Sequence, residues 1–515
     1  MQATSSRLVF LVGSVFALSG LLGTRAAENQ SPHRPESTHL NTRSASHVEV
    51  VTRHGAIGDG TTDDTAGIQS AVNALPRSGG AVFFPLGTYL ISSNIKTGAR
   101  PVIFRGQGRA SILKARGTSL TAILEMNHAS AAGSRVSLLT FHGSKTGGTG
   151  EIQRGVYAHG AANCVVSECT FSGPTADVVT GLNFGVDLYR AHGSRVVDCR
   201  FERMVSSGGN GTSVLIEMTD NCEVRGCSID GSKFNRRDGT AGAAIQITSS
   251  TSEGASNNRI LGNTIRAHPQ VAVDIGSSTK KRMVGPDGST LAACQYNVIE
   301  QNDIRGSTHA SGGDASSGIV IVGNSHYNRI ANNRVFQNGH AKAGGYGISI
   351  VGNSIVVPEA PRANEVVGNS IYENQDHGLW IQGAVETVVQ GNVFRDNGAR
   401  TANAFCHVKI VPVAKGVDGR GTRINANVFS GTQLRYHIEV EATVADTIIG
   451  TNLYGAVTTS PIETNASTTI LELTGSGVPR FSAAPGSRYY RTDGAAGATL
   501  YIKETGYGSS GWAAK

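Results

Sequence analysis

The sequence predicts an all-β chain wound as a right-handed, single-stranded parallel β-helix of about ten or more coils. Three observations carry this expectation. The composition, 66 Gly with only 6% aromatic and 16% charged residues in 515, suits many short strands joined by turns and not a helical protein. One short pattern recurs ten times at intervals of 23 to 39 residues. A second kind of run, alternating apolar and polar residues, lies between most of those recurrences.

The recurring pattern is Val or Ile, two residues, a ladder residue, one residue, then Phe, Ile or Val. The ladder residues are Leu139, Cys169, Cys199, Cys227, Asn263, Asn302, Asn333, Asn369, Asn392 and Asn427. The first strand runs from Val136 to Ile424 across the ten repeats, and the second from Phe141 to Phe429. Periods of this length mark a stacked array, because one coil cannot bury its own apolar face. Stacked coils lie about 4.8 Å apart and share one core. A ladder Asn can bond the turn and the Asn of the next coil, which satisfies polar groups inside. Three successive coils carry Cys there instead. A buried free thiol behaves as a small hydrophobe, so a reduced stack is expected, although neighbouring ladder Cys would lie within disulfide reach.

The alternating runs are residues 185–189, 213–217, 243–248, 271–276, 318–323, 347–352, 378–383 and 407–411. Aligned on their buried members, Leu188, Ile216, Ile247, Ile275, Ile321, Ile350, Ile381 and Ile410 point inward. The longest insertions are residues 231–242, 277–295 and 306–317. In repeat arrays such loops often carry function.

The ends differ from the array. Arg7 precedes an apolar run at residues 8–22 with small residues near Ala26, which reads as a secretory signal peptide over 1–26 and a secreted or periplasmic location. Residues 27–46 read as a disordered linker, 47–475 as the β-helix domain and 480–515 as a β-hairpin tail holding Tyr489, Tyr490, Tyr501, Tyr507 and Trp512. Asp64 is placed to cap a helix through Ile68, Val72 and Leu75, which would cover the open end of the stack. The tail would plug the other end or bind sugar.

The stretches GDGTTDDTAGIQSAV and GGAVFFPLGTYLI resemble the N-terminal signature of the pectate-lyase-like superfamily, which is similar to polygalacturonase-related proteins and phage tailspikes. The resemblance implies the same β-helix and, commonly, polysaccharide lyase or hydrolase activity, without fixing the reaction. The catalytic motifs that polygalacturonases would supply are missing: His377-Gly378 and His407-Val408-Lys409 are only partial echoes.

Outward acids on the alternating strands are Asp187, Glu217 and Asp274. Asp187 and Glu217 fall on adjacent coils two positions out of register, about 8 Å apart, which suits the acid and base of an inverting glycosidase. Asp274, three coils from Asp187, is expected to bind substrate. Arg190, Arg236 and Arg237 stand nearby and could neutralise a uronate carboxylate, as a lyase requires before proton abstraction at C5. There an Arg or Lys would serve as base, with His268 as another candidate. A second patch gathers Asp376, His377, Trp380, Lys409, Glu439 and Glu441, where Trp380 could stack on a sugar and Lys409 bind its charge.

The formal charge of +7 falls to about +5 once residues 1–26 are removed, and its bases are scattered. That excludes a nucleic-acid footprint and fits an acidic glycan. Nothing indicates a membrane partner after signal removal. No CxxC or His-x-x-x-His spacing marks a metal site, while a calcium requirement is left open. The expected function is an exported polysaccharide-degrading enzyme, a lyase or glycoside hydrolase, working as a monomer or homotrimer. The alternative is a non-catalytic glycan-binding or adhesin-like surface protein.

Overall fold

The computed structural model describes residues 47–515, apart from 118–119, 145–151, 174–180, 207–210, 234, 237–241, 250–252, 277–291, 310, 353–359, 414–418 and 456–460. The expected signal peptide, the linker and Arg237 lie outside the described residues. Within them the chain forms three long sheets of 18, 14 and 13 strands, here sheets I, II and III, and each coil contributes one strand to each in that order. The pairing is parallel throughout the coils, giving a parallel β-helix.

Register follows the sequence pattern. Val136, Val166, Val196, Val224, Ile260, Ile299, Ile330, Val366, Val389 and Ile424 stand side by side in sheet I. Phe141 through Phe429 do the same in sheet II. Leu188 through Ile410 align in sheet III. All of these are buried. Like side chains therefore form columns, and Phe141, Phe171 and Phe201 stack with centroids 4.9 Å apart.

Between sheets I and II the chain turns through one left-handed residue just before each ladder residue. These are Leu138, Glu168, Asp198, Gly226, Gly262, Gln301, Asn332, Gly368, Gly391 and Ala426, with φ between 53° and 67°. Glycine reaches this region without steric cost, which explains the repeated Gly-Asn pairs. The following Asn completes the turn. The Oδ1 of Asn369 accepts from the Asn333 amide at 2.9 Å and from Asn333 Nδ2 at 2.9 Å, while its Nδ2 donates to Ile330 O at 2.9 Å. The ladder continues one coil further than its sequence pattern, to Asn452.

Cysteine substitutes for Asn in this geometry. Cys199 Sγ shares its hydrogen between Val166 O and Val197 O at 3.6 and 3.4 Å and accepts from the Cys169 amide, standing in for three of the contacts that Asn369 makes. All seven cysteines are free and buried.

Two further ladders flank this one. Asn258, Asn297, Asn328 and Asn364 line the corner between sheets III and I. The same column holds Cys164, Ser194 and Cys222 in earlier coils and Thr387, Thr422, Thr447 and Thr469 in later ones. Asn338, Asn374 and Asn397 line the corner after sheet II and end on His407 Nδ1.

At the N-terminal end helix α1, Thr65–Ala74, buries Ile68, Ala71 and Val72 against the first coils. Asp64 occupies its N-cap, but its carboxylate makes no capping bond. It accepts instead from the amides of Ile57, Gly58 and Leu90, tying the preceding loop to the neighbouring strand. At the other end Arg488–Arg491 pairs parallel with Ile470–Gly475. It then pairs antiparallel with Leu500–Lys503, which pairs with Trp512–Ala514. The tail is thus a three-stranded meander, where the sequence suggested two strands. Leu473, Phe481 and Trp512 pack against the main core.

Candidate active site on sheet III

Sheet III alternates inward and outward residues, so its outer face can be read column by column. One outward column runs Tyr157, Asp187, Leu215, Gln246, Asp274, Val320, Ser349, Trp380, Lys409, Glu439 and Glu463. A second, two residues along each strand, runs His159, Tyr189, Glu217 and Thr248.

Ionisable and aromatic groups concentrate where the strands Arg154–His159, Phe184–Tyr189 and Thr212–Glu217 lie together. Asp187 and Glu217 sit on adjacent strands two positions apart in register. Their environments differ from the open wall expected. Asp187 is fully buried, and its Oδ2 accepts from Arg154 Nε at 2.5 Å. Burial raises the pKa of its carboxyl, and Arg154 opposes that rise. Asp187 therefore cannot face a substrate as it stands. Glu217 is half-buried and reaches the outer face.

Arg154 is the more informative member of that pair. Its guanidinium stands 4.4 Å from the centroid of Tyr157 and 5.6 Å from that of Phe184. Burial first, and the Asp187 charge second, push the Tyr157 phenol up to about 12, so it keeps its proton across the neutral range. Exposed His159 stacks on Tyr157 at 5.3 Å and meets Tyr189 edge-on at 5.0 Å. Arg154, Tyr157, His159, Tyr189 and Glu217 thus share one patch, with Asp187 beneath as the anchor of Arg154.

The other expected site residues are dispersed. Asp274 is fully buried and accepts from Gln246 Nε2 at 3.2 Å, so it is not on an open wall either. Arg190 is exposed, pairs with Glu253 at 2.7 Å and stands 5.3 Å from the centroid of Tyr189, at the edge of the patch. It lines a shallow cavity of about 390 Å³ with His192, Met218, Asp220, Glu253 and Gly254. His268 is buried, with Nδ1 accepting from the Gln270 amide at 3.3 Å, which removes it as an exposed base. Arg236 lies in the short strand Asn235–Arg236, paired with Val205–Ser206.

The later patch is a self-contained network. Asp376 accepts from Arg400 Nε at 2.6 Å and from the Gly345 amide at 3.1 Å. His377 Nδ1 accepts from the Cys406 amide, and burial pulls the imidazole down to about 3. Trp380 is half-buried and stacks on Tyr346 at 5.0 Å, so one ring face is already covered, contrary to the exposed ring expected. Lys409 is held between Glu439 and Glu441 at 3.1 and 3.2 Å. Among the described residues no group of three or more His, Cys, Asp or Glu side chains is arranged to hold a metal ion.

Sequence reasoning passed over Arg154, Tyr157, His159 and Tyr189. The signal was available: residues 155–159, GVYAH, repeat the form of 185–189, GVDLY, one coil earlier.

Residues 48–233 match the family model described as rhamnogalacturonase A/epimerase, pectate lyase-like. No curated protein matches the chain in sequence. Among solved structures, the tailspike protein of E. coli bacteriophage HK620, a mutant in complex with hexasaccharide, aligns at TM-score 0.54 and 11% identity over 90% of this chain and 89% of that one. The A-module of the Azotobacter vinelandii mannuronan C-5 epimerase AlgE4 aligns at TM-score 0.45 and 16% identity, covering 82% and 100%. The Streptococcus pneumoniae surface protein and adhesin PfbA aligns at 0.47 and 14%, covering 83% and 99%. Residues 48–233 thus resemble the pectate-lyase-like family, and the coiled architecture is that of a parallel β-helix.

Proposed function

We propose that the protein acts outside the cytoplasm on an acidic polysaccharide and cleaves it by β-elimination at the Arg154 patch. One observation carries the reading: a cation, a phenol that retains its proton and an exposed imidazole lie together on one outer face, with a buried carboxylate fixing the cation.

Elimination needs three services. The uronate carboxylate must be neutralised so that the C5 proton becomes acidic, and Arg154 supplies the charge. A base must take that proton, and His159 is the accessible candidate. An acid must protonate the departing oxygen, and Tyr157 holds a proton for it. The C5–H pair becomes the C4–C5 double bond as the C4–O bond breaks, so protons and electrons balance without a further reactant. Hydrolysis by Asp187 and Glu217 is less well supported, because Asp187 is enclosed and engaged by Arg154. The N-terminal apolar leader supports export.

The test is incubation with a panel of uronate polymers, following ultraviolet absorbance and reducing ends together. The expected result is new absorbance from an unsaturated uronate, lost in Tyr157→Phe and in His159→Ala. Reducing ends without absorbance would replace elimination by hydrolysis. Binding without either product would leave a glycan-binding protein and remove the enzymatic reading.

A further inference from the structure

The corner between sheets III and I turns on one left-handed residue per coil. Gly133, Asn163, Gly193, Asn221 and Asn257 take this place in successive early coils. These are the residue types that tolerate the conformation. The next two coils put tyrosine there: Tyr296 and Tyr327, with φ of 58° and 54°. Tyrosine is less suited to this region than Gly or Asn, although corners of the rod also hold Leu138, Gln301 and Glu386 there, so what sets the two tyrosines apart is their exposure and their stacking. The fold gives these rings no core to fill, since they are 52% and 45% exposed.

The two rings lie parallel within 8°, with centroids 5.1 Å apart. That separation is close to the coil spacing, so the stack runs along the rod. Its next place falls over Ala363, the equivalent residue one coil on, whose methyl group does not continue the aromatic stack. Arg362 precedes Ala363 as His326 precedes Tyr327, and the two are bridged in parallel. Among the described residues, the ion pair of Arg362 is a long, solvent-exposed contact of 4.0 Å with Glu386, of little strength and displaceable by a ligand.

We propose that Tyr296 and Tyr327 form an accessory binding site in which a uronate ring takes the third place of the stack, over Ala363, with its carboxylate toward Arg362. A pyranose presents an apolar C–H face that suits an aromatic platform, and the cation selects a charged sugar. This assignment rests on the acidic-glycan reading above. Tyr296 and Tyr327 lie three and four coils from Asp187 and the place over Ala363 five, about 14 to 24 Å along the axis. The site would therefore hold a part of the polymer remote from the point of cleavage.

The experiment measures binding of a short oligogalacturonate and a short oligomannuronate by calorimetry and tyrosine fluorescence, with a cello-oligosaccharide as the uncharged control. The Tyr157→Phe background suppresses turnover. At least one acidic oligomer is expected to bind and perturb tyrosine emission. Tyr327→Asn should weaken it about five- to tenfold, the loss of one stacking contact. The same substitution should keep or raise the melting temperature, because Asn tolerates the left-handed turn. Ala363→Tyr fills the open place with a protein ring and should weaken binding to the same extent without removing any contact residue. Unchanged affinity in both variants, or equal binding of the uncharged control, overturns the assignment. If the wild type still generates unsaturated product in that case, the accessory site alone falls. If no acidic oligomer is bound or cleaved, both readings fall.

Discussion

Replacing Asn369 by Ala tests the polar ladder directly. Its side chain satisfies the backbone amide of Asn333 and the Nδ2 of Asn333, and it donates to Ile330 O and to Asn392 Oδ1. All four bonds lie in the dry interior of the rod. Alanine can replace none of them. An orphaned buried donor or acceptor costs about 1–3 kcal/mol, and at least two are created, so the loss should be about 4 kcal/mol. Asn369→Cys should cost roughly half as much, since Cys199 already makes three comparable contacts five coils earlier in the same column. Urea denaturation followed by circular dichroism gives the midpoint and slope for each variant, and an unchanged slope licenses the comparison. A loss below about 1 kcal/mol for the Ala variant, or no difference between Ala and Cys, would refute the claim that these bonds hold the coils in register.

Other perturbations test separate parts of the molecule. Among the described residues, the buried hydroxyl of Thr422 has no hydrogen-bond partner, so Thr422→Val should be neutral or stabilise by up to about 1 kcal/mol, read as a rise in melting temperature. His407 is buried and neutral, with Nε2 donating to Ser430 O, and burial holds its pKa down to about 3. The unfolded imidazole takes up a proton first, so its contribution is complete above about pH 6.5 and is lost as pH falls toward 3. At pH 5 the cost should be about 2 kcal/mol, and His407→Gln should flatten that part of a urea-midpoint-versus-pH curve. Asp187→Asn removes the charge that anchors Arg154. It should destabilise the fold by about 3 kcal/mol and lower turnover, whereas exposed His159→Ala should lower turnover with little change in melting temperature, measured by melting and by the ultraviolet assay.

Much of the fold was legible because a coil repeats its inward residues at fixed offsets from its ladder position. The tyrosine corner and the two flanking Asn ladders could also have been read, since Asn328, Asn333 and Asn338 recur at five-residue steps, and so do Asn364, Asn369 and Asn374. Each step moves the chain from one corner to the next. The candidate site was less legible for a physical reason. Alternation distinguishes inward from outward, but an outward residue need not meet water. Asp187 and Asp274 point away from the core and are nevertheless buried. Whether a side chain on the outer face is covered depends on its neighbours along the column, such as Arg154 over Asp187, and these come from other coils at irregular sequence distances.

The seven sulfhydryl groups give the protein a silent chemical reporter. While the rod is intact, a thiol-specific dye should find nothing to label, and burial also pushes the Cys199 and Cys227 thiols well above their ordinary pKa, away from the reactive thiolate. Labelling should therefore begin only when coils separate. Since Cys164 through Cys227 occupy neighbouring coils while Cys294 and Cys406 lie further along, mass analysis of the dye's order of attachment would show which end of the stack opens first.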